Sequence, residues 1–372
     1  MIPKALLDNN LMPGLFDAYQ LKDVTLRNRI AVAPMCQYSA EDGFPNDWHL
    51  VHLGSRAAGG AGLVIIEATA VSPEGRISPQ CTGIWSDEHI EPYARIAHFI
   101  KGQGAAAGLQ IAHAGRKASA SKPWSGDSHI TQDQGGWPII GPSAEAFGAN
   151  LPLVPTEMTH ADIDRVKQAF VAAAKRSLAA GIHWLELHFA HGYLAHSFYS
   201  PLANKRTDEY GGSFENRTRF IMETFAAVRE VWPERYPLTA RLSVTDWVAG
   251  GVTVEESVEL VRQLKSAGLD MVDISMGFAT PDISQVPWGP GFMVPVAGRI
   301  RRETGLPTAA GWMINEPKQA DDVIQNEQAD LIMLARSMLA DPYWPYHAAQ
   351  ALGIDQPHLI LPEQYGFALK GR

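Results

Sequence analysis

Short apolar runs recur along the chain at roughly even spacing, and amphipathic stretches separate them. Most of these runs are continuously apolar rather than alternating, which is typical of strands buried on both faces of a parallel sheet. We therefore predict a strand in each of eight segments, residues 29–35, 63–71, 105–113, 183–190, 238–244, 271–277, 307–313 and 331–338.

The stretches between the runs have the period of amphipathic helices. In the clearest one, Thr159 is placed to cap a helix and Gly181 to end it. Its apolar positions share one face, and they are Ile163, Val166, Phe170, Ala173, Ala174 and Leu178. Eight strand–helix units in 372 residues predict a (β/α)8 TIM barrel of the α/β class. A doubly wound sheet, which is built from the same unit, is the alternative.

Several segments lie outside this repeat. Residues 16–28 read as an N-terminal β-hairpin that would close the bottom of the barrel. The longest connection, residues 114–157 after strand 3, predicts a lid-like loop, and a shorter one covers 278–292. Because no linker-like stretch divides the chain, we predict one domain over residues 1–372, with 1–14 as a flexible N-terminal extension.

The composition indicates a compact protein, since 46% of the residues are hydrophobic and 19% are charged. A net charge of -9 argues against nucleic acid or an anionic membrane surface as the main partner. Two cysteines do not make a disulfide framework and favour a reducing compartment. The N-terminus lacks the apolar core of a signal peptide, and no run approaches the ~18 apolar residues of a membrane span. We expect a soluble cytoplasmic enzyme.

A barrel places its chemistry at the carboxyl ends of its strands. Polar groups within apolar strands are costly unless they meet a ligand or each other, and here they recur at most of the strand ends. The residues at or just after these ends are Cys36, Ala68, Thr69, Gln110, His113, His188, His191, Tyr193, Arg241, Ser275, Gly311, Trp312, Ala335 and Arg336.

The residue types indicate the kind of ligand. Gln110 offers both a donor and an acceptor, and Arg241 offers only donors. They suit a flavin, whose ring edge alternates C=O and N–H and whose reduced form carries charge near N1. Ala335 and Arg336 follow strand 8, where barrels commonly bind phosphate. The motif G-x-G-x-x-A within residues 102–108 precedes a strand, which is the wrong context for a dinucleotide fingerprint.

The pair His188 and His191 allows three interpretations. A metal site would need a third ligand, and His113 is the available histidine. No carboxylate ends strands 1, 3 or 5, and Glu67 and Glu186 lie inside strands, where we expect them to point away from the tips. In the second interpretation the histidines have a structural role, and in the third they act on a bound ligand.

In the third interpretation both histidines donate hydrogen bonds to a bound carbonyl oxygen, and Tyr193 supplies a proton nearby. Together with a flavin, this arrangement would reduce an activated C=C bond, and we favour it. Cys36, at a strand tip, either contacts cofactor or substrate or is a small buried side chain. Tyr38 and Trp312 suit a pocket wall or the core equally well.

At these residues the sequence resembles the old yellow enzyme family of FMN-dependent ene-reductases, in particular its thermophilic-like subgroup, which includes the xenobiotic reductases. The resemblance extends from about Leu15 to Tyr365. It is carried by LKDVTLRNRIAVAPMCQY, EATAVSPEGR, LQIAHAGRKAS, LHFAHGYL, NKRTDEYGGSFENRTRF, LTARLSV and LARSMLADP. The long segment NKRTDEYGGSFENR is highly specific, and PMCQY marks the subgroup.

The resemblance implies tightly bound FMN, and NADPH or NADH as the reductant in a ping-pong cycle. It places FMN against Ala33, Pro34, Met35, Cys36, Ala68, Gln110, Arg241, Gly311, Trp312, Ala335 and Arg336. The substrates implied are enones, nitro compounds or quinones, bound by Tyr38, His188, His191 and Trp312. Hydride would pass from flavin N5 to the substrate while Tyr193 donates the proton, and Cys36 would tune the flavin.

Two positions depart from the family pattern. The phosphate site commonly reads Gly-Arg, where this chain has Ala335 and Arg336; the backbone N–H survives that change. In relatives an aromatic residue near the C-terminus reaches into a neighbouring subunit, and here the tail 366–372 carries Phe367. The resemblance therefore implies a homodimer or homotetramer.

Three other functions would draw on parts of the same pattern. A related reductase of dienoyl thioesters needs four cluster thiolates, which two cysteines cannot supply. A metal-dependent barrel hydrolase or lyase would use the histidines as ligands. A flavin-binding protein without turnover would take up FMN but would not oxidise NADPH with any enone.

Overall fold

The computed structural model describes residues 13–371, and within them the chain forms a closed barrel of eight parallel strands. In chain order the strands are β1 (Tyr19–Leu21), β2 (Val24–Leu26), β3 (Ile30–Val32), β4 (Leu63–Ala70), β5 (Ala106–Ala112), β6 (Ile140–Gly141), β7 (Thr156–Glu157), β8 (Trp184–Phe189), β9 (Leu238–Ser243), β10 (Met271–Ser275), β11 (Thr308–Ala310) and β12 (Leu331–Leu334). The barrel runs β3-β4-β5-β8-β9-β10-β11-β12 and closes where β12 pairs with β3. Each of the eight predicted strands is present, and closure excludes the doubly wound alternative.

Helices follow the strands around the outside of the barrel. They are α1 (Asp47–Ala58), α2 (Ile90–Gly102), α3 (His160–Ala179), α4 (Leu194–Tyr199), α5 (Phe214–Val231), α6 (Val254–Ser266), α7 (Val294–Thr304), α8 (Pro317–Gln325), α9 (Arg336–Ala340), α10 (Trp344–Ala351) and α11 (Glu363–Leu369). Helix α3 begins as the sequence predicts, because the Thr159 hydroxyl accepts a hydrogen bond from the Asp162 N–H over 3.2 Å. It ends just before Gly181, which has a positive φ of 75°.

The predicted N-terminal hairpin is formed by β1 and β2, which pair antiparallel. Val24 and Leu26 pack against Leu63, Trp184 and Leu331, residues at the starts of barrel strands. The hairpin therefore seals the amino-terminal end of the barrel and leaves the opposite end for the site. For the predicted extension 1–14, residues 1–12 lie outside the described residues.

The long connection 114–157 contains short 3-10 turns and the two-residue strands β6 and β7, which pair parallel. Arg116 ties it to the second loop, since its guanidinium donates to the carbonyl oxygens of Glu145, at 3.1 Å, and of Ala279. Both loops therefore lie over the carboxyl end of the barrel as one connected layer. No helix between residues 13 and 371 is long and apolar enough to cross a membrane.

Candidate active site

A cavity of about 580 Å³ opens at the carboxyl end of the barrel. Its walls come from the ends of β3, β9, β11 and β12 and from the turn after β8. Eight residues predicted for the site line it, namely Ala33, Pro34, His191, Arg241, Gly311, Trp312, Ala335 and Arg336. A volume of this size is typical of a site for a cofactor or another small ligand.

The cavity also has walls that the sequence did not indicate. Met313, Ile314 and Asn315 follow Trp312, and Ser337 follows Arg336. The Ser337 hydroxyl donates to Asn315 Oδ1 over 3.1 Å, which joins the loops after β11 and β12. These residues could have been suspected from the sequence because they directly follow predicted strand ends. How many residues after β11 reach the cavity, however, depends on the path of the turn, which only the folded structure shows.

Other predicted residues lie outside that cavity. Met35, Cys36 and Gln110 do not line it, and Ala68 lines a smaller cavity that it shares with Cys81 and Tyr193. The neighbouring Cys81 thiol, together with burial, raises the pKa of Cys36. Cys36 is therefore held as a neutral thiol beside a second cysteine.

The turn after β8 brings His188, His191 and Tyr193 together. The ring centroids of His188 and His191 are 5.0 Å apart, and that of Tyr193 is 5.1 Å from His188. The turn requires His191 at φ 62° and Gly192 at φ 71°, and a Cβ at Gly192 would lie 1.9 Å from the Phe278 carbonyl oxygen. A non-glycine residue in this region of backbone space is strained, and such strain concentrates at functional turns.

Hydrogen bonds fix the proton positions on the two histidines. Nδ1 of His188 accepts from the Ala190 N–H over 3.3 Å, so the neutral ring carries its proton on Nε2. Ser275 Oγ accepts from Trp312 Nε1, at 3.1 Å, and lies 2.6 Å from Nε2 of His191. We assign the Ser275 hydroxyl proton to that contact, which leaves the His191 proton on Nδ1. Each ring thus keeps one N–H that has no acceptor among residues 13–371.

The electrostatics keep these groups neutral. Burial, followed by the positive charge of Arg241, places the pKa of both His188 and His191 well below the usual value for histidine. Burial raises the pKa of Tyr193 well above its usual value. Two neutral imidazoles and a protonated phenol can donate hydrogen bonds to an oxygen and a proton to a carbon without first changing charge.

One layer deeper, a polar network fills the barrel. Gln110 pairs in register with Glu186, and its amide donates to the Glu186 carboxyl group over 2.8 Å. Arg241 pairs in register with Asp273, and Nε lies 3.0 Å from Oδ2. Burial raises the pKa of Glu186 to about 8 and that of Asp273 to about 6.

The expectation that Glu186 points away from the site was wrong. Glu186 and His188 are two residues apart in a strand, so both face the barrel interior. The same two-residue alternation placed Asp273 and Ser275 on one face, and the sequence reasoning missed Asp273. Glu67 does lie outside this network, since its carboxylate accepts from the Gln37 N–H over 3.0 Å.

These residues fit a flavin nucleotide. Arg241 lines the cavity; its guanidinium is ion-paired with Asp273 through Nε but makes no hydrogen bond to residues 13–371. The guanidinium N–H groups that do not face Asp273 are costly to bury without acceptors, so they call for a ligand with carbonyl or ring nitrogen acceptors. Arg336 borders the other side of the same cavity, where it is placed for a phosphate. The apolar walls between the two arginines suit a planar ring.

The metal interpretation receives no geometric support from the three histidines. Among the described residues, the group that brings three ligand atoms within 4.8 Å is His160, Asp208 and Glu209, away from the cavity. There Arg206 already donates to both oxygens of Asp208, so that carboxylate serves an ion pair. His113 contributes Nδ1 as an acceptor for the Gly115 N–H over 3.0 Å.

Comparison with known proteins covers the whole barrel. The model of the NADH:flavin oxidoreductase / NADH oxidase family matches residues 14–354. An NADPH dehydrogenase from Geobacillus thermodenitrificans is 45% identical over 353 residues, which cover 94% of this chain and 97% of the relative. Morphinone reductase in complex with tetrahydroNAD has a TM-score of 0.76 at 25% identity, covering 91% of each chain. A 2-naphthoyl-CoA reductase complex has a TM-score of 0.82 at 26% identity, although the match spans 52% of that longer protein.

Proposed function

Because the chain belongs to the NADH:flavin oxidoreductase / NADH oxidase family, we propose that it reduces activated C=C bonds of unsaturated carbonyl or nitro compounds. The coarser activity follows from the relatives: the protein is an FMN-dependent NADPH oxidoreductase of the old yellow enzyme family. The observation that carries the finer proposal is the pair of neutral histidines with unused N–H groups, His188 and His191, beside a protonated Tyr193.

The proposed cofactor contacts are made by chain segments around the cavity. FMN, when bound, supplies the hydride chemistry. We assign Arg241 and Gln110 to the polar edge of its ring and Arg336 and the Ala335 N–H to its phosphate. Its faces and rim are assigned to Ala33 to Cys36, Ala68, Gly311 and Trp312, of which Ala33, Pro34, Gly311 and Trp312 line the main cavity and Ala68 the smaller one. Asp273 and Glu186 fix the orientations of Arg241 and Gln110 from below.

The proposed role of the histidines is to hold the oxygen that becomes negative during reduction. Two preorganised N–H donors stabilise such an oxygen at no cost of reorganisation, and one donor of this kind is typically worth about 3 kcal/mol. Neutral rings suit this task because hydrogen bonds alone stabilise the oxygen, which does not have to receive a proton from the histidines. Tyr38 and Trp312 are proposed to border the bound substrate, and Ser275 holds His191 in the donor orientation.

Tyr193 is proposed as the proton donor to the α-carbon. Its raised pKa keeps the phenol protonated across the working range of pH. A weak acid of this kind transfers its proton only to a strongly basic carbon, which arises when the neighbouring carbon accepts hydride. Tyr193 is therefore proposed to give up its proton only when the alkene accepts hydride, and it plays no part in the oxidation of NADPH.

The experiment that tests the proposal is the visible absorption spectrum of the purified protein during an anaerobic cycle. Flavin bands that bleach with NADPH and return with 2-cyclohexenone are the expected result, with stoichiometric formation of cyclohexanone. If NADPH bleaches the flavin bands but enones, nitroalkenes and quinones do not restore them, the protein is a flavin-dependent NADPH oxidoreductase that uses another electron acceptor. A protein that stays colourless after incubation with FMN would contradict the whole assignment.

The oligomeric state belongs to the proposal as well. We propose a homodimer or homotetramer, and the side chain of Phe367 on α11 is 85% exposed, which supports a role outside its own subunit. The mass in solution by light scattering tests this, and a monomer at micromolar concentration would rule it out.

A further inference from the structure

A third cavity, of about 280 Å³, lies beyond Tyr193, under the two long loops. We call it the distal chamber, and the side chains that matter for its chemistry are Tyr38, Lys117, Asp127, Phe147, Tyr193 and Phe278. Two of them, Tyr38 and Tyr193, belong to the proposed substrate site. A substrate held by His188 and His191 therefore has this chamber next to it for a further substituent.

Lys117 is the cation of the chamber, and it is surrounded by aromatic rings. Its ammonium nitrogen lies 4.5 Å from the ring centroid of Phe147, 5.2 Å from that of Tyr193 and 5.8 Å from that of Phe278. Aromatic faces attract a cation but accept no conventional hydrogen bond from it. The ammonium group is thus held in place while much of its hydrogen-bonding capacity is unused.

The hydrogen bonds of Lys117 can be counted. An ammonium group has three donors, and Nζ donates one hydrogen bond, over 2.9 Å, to the His191 carbonyl oxygen. The remaining donors have no acceptor among residues 13–371. Burial, aided by Arg116 and opposed by Asp127, lowers the pKa of Lys117 to about 8, so the charged form lacks compensation in the absence of a ligand.

Asp127 does not provide that compensation. It is exposed, and the hydrogen bond of Lys117 goes to the His191 carbonyl oxygen rather than to this carboxylate. Water at the rim screens its charge, whereas the half-buried ammonium group is screened much less. An anion that enters the chamber would therefore interact with Lys117 more strongly than it is repelled by Asp127.

Contacts between the loops hold the walls of the chamber in one conformation. Arg116 joins the two loops through Glu145 and Ala279, and Gly192 approaches Phe278 too closely for any side chain. Lys117 itself bonds the carbonyl oxygen of His191, so the chamber and the oxygen-binding turn share one backbone contact. Preorganised donors of this kind give selectivity between ligands of similar size.

We propose that Lys117 is a specificity-determining residue that binds a carboxylate on the acceptor substrate, so that the enzyme prefers activated alkenes bearing an acidic substituent. The inference rests on the proposed function, because it needs the substrate oxygen to lie at His188 and His191. Charge-assisted hydrogen bonds are roughly twice as strong as neutral ones, which is why a carboxylate suits this site better than an ester.

Binding of phenols to the holoenzyme tests this without turnover. The probes are 3-hydroxybenzoate and 4-hydroxybenzoate against their methyl esters, and dissociation constants are read from the change in the flavin spectrum. We expect at least one carboxylate to bind about tenfold more tightly than its ester, and Lys117→Met to remove that preference while ester affinity changes by about twofold or less. Lys117→Arg should restore a preference, and Lys122→Met on the same loop should leave it intact.

Each other outcome counts against the inference. If wild-type protein binds acid and ester equally, or if Lys117→Met weakens both alike, Lys117 has only a structural role. If the variant instead weakens NADPH in the flavin-reduction half-reaction, the chamber receives a phosphate of the reductant. Reduction of 2-cyclohexenone by wild-type protein separates these failures from failure of the proposed function, which would abolish that reaction altogether.

Discussion

The side-chain amide of Gln110 donates a hydrogen bond to the carboxyl group of Glu186 over 2.8 Å, inside the barrel and below the cavity. The two residues are paired in register on adjacent strands, so the contact follows directly from the sheet. This bond uses one of the two N–H donors of the Gln110 amide and leaves the carbonyl oxygen and the second N–H for other partners. The carboxyl group is thereby a positioning element for a residue proposed to contact the flavin.

The first prediction concerns Glu186 and pH. Burial and the neighbouring Asp273 raise the pKa of Glu186 from 4.5 to about 8. A raised carboxyl pKa contributes stability below about pH 4.5 that is lost as the pH rises through about 8. Glu186→Gln keeps an acceptor for Gln110 and removes the titration, so its stability relative to wild type should improve by about 2 to 5 kcal/mol between pH 5 and pH 9.

Thermal unfolding of wild type and Glu186→Gln at pH 5, 7 and 9 measures this effect. The exposed Glu230→Gln serves as the control and should show no such trend. A difference in melting temperature between Glu186→Gln and wild type that stays constant with pH would mean that the pKa of Glu186 is not raised in the folded protein.

The second prediction concerns Tyr193. Tyr193→Phe should slow the reduction of 2-cyclohexenone by about 100-fold or more, since it removes the proposed general acid. Flavin reduction by NADPH should change little, because that half-reaction needs no proton from the phenol. Stopped-flow measurement of both half-reactions checks this, with Tyr38→Phe as the comparison because Tyr38 lines the same region. Equal losses in both half-reactions, or a larger effect from Tyr38→Phe, would remove Tyr193 from the donor role.

The third prediction concerns the oxygen-binding histidines. His188→Ala should weaken phenol binding by about 10- to 100-fold, because a phenolate oxygen would lose one of its two N–H donors. Titration of the flavin spectrum gives the dissociation constant. His183→Ala is the matched control, since that ring stacks on Tyr236 at the other end of β8, with centroids 4.2 Å apart. Unchanged phenol affinity in His188→Ala would place the oxygen elsewhere.

The sequence predicted the barrel because each strand is a local apolar run and each helix carries its own period and cap, as Thr159 shows. It predicted which residues end the strands, because that position is also local. It did not reveal that Glu186 and Asp273 support Gln110 and Arg241, because register between strands joins residues distant in the chain. The sequence did not predict the distal chamber for the same reason, because its walls come from two loops that are distant in the chain and contact each other only in the folded protein.

The fourth prediction concerns the phosphate end of the cavity. Arg336 begins α9 on the cavity wall, and its charge faces the site proposed for the FMN phosphate. Arg336→Met keeps the length of the side chain and removes the charge-assisted hydrogen bonds, so FMN affinity should fall by about 10- to 100-fold. Ultrafiltration and fluorescence of released FMN measure the dissociation constant, and the exposed Arg302→Met should be neutral. If Arg336→Met retains FMN as tightly as wild type, the phosphate must be held by backbone N–H groups alone, and the arginine would then serve another group at that end of the cavity.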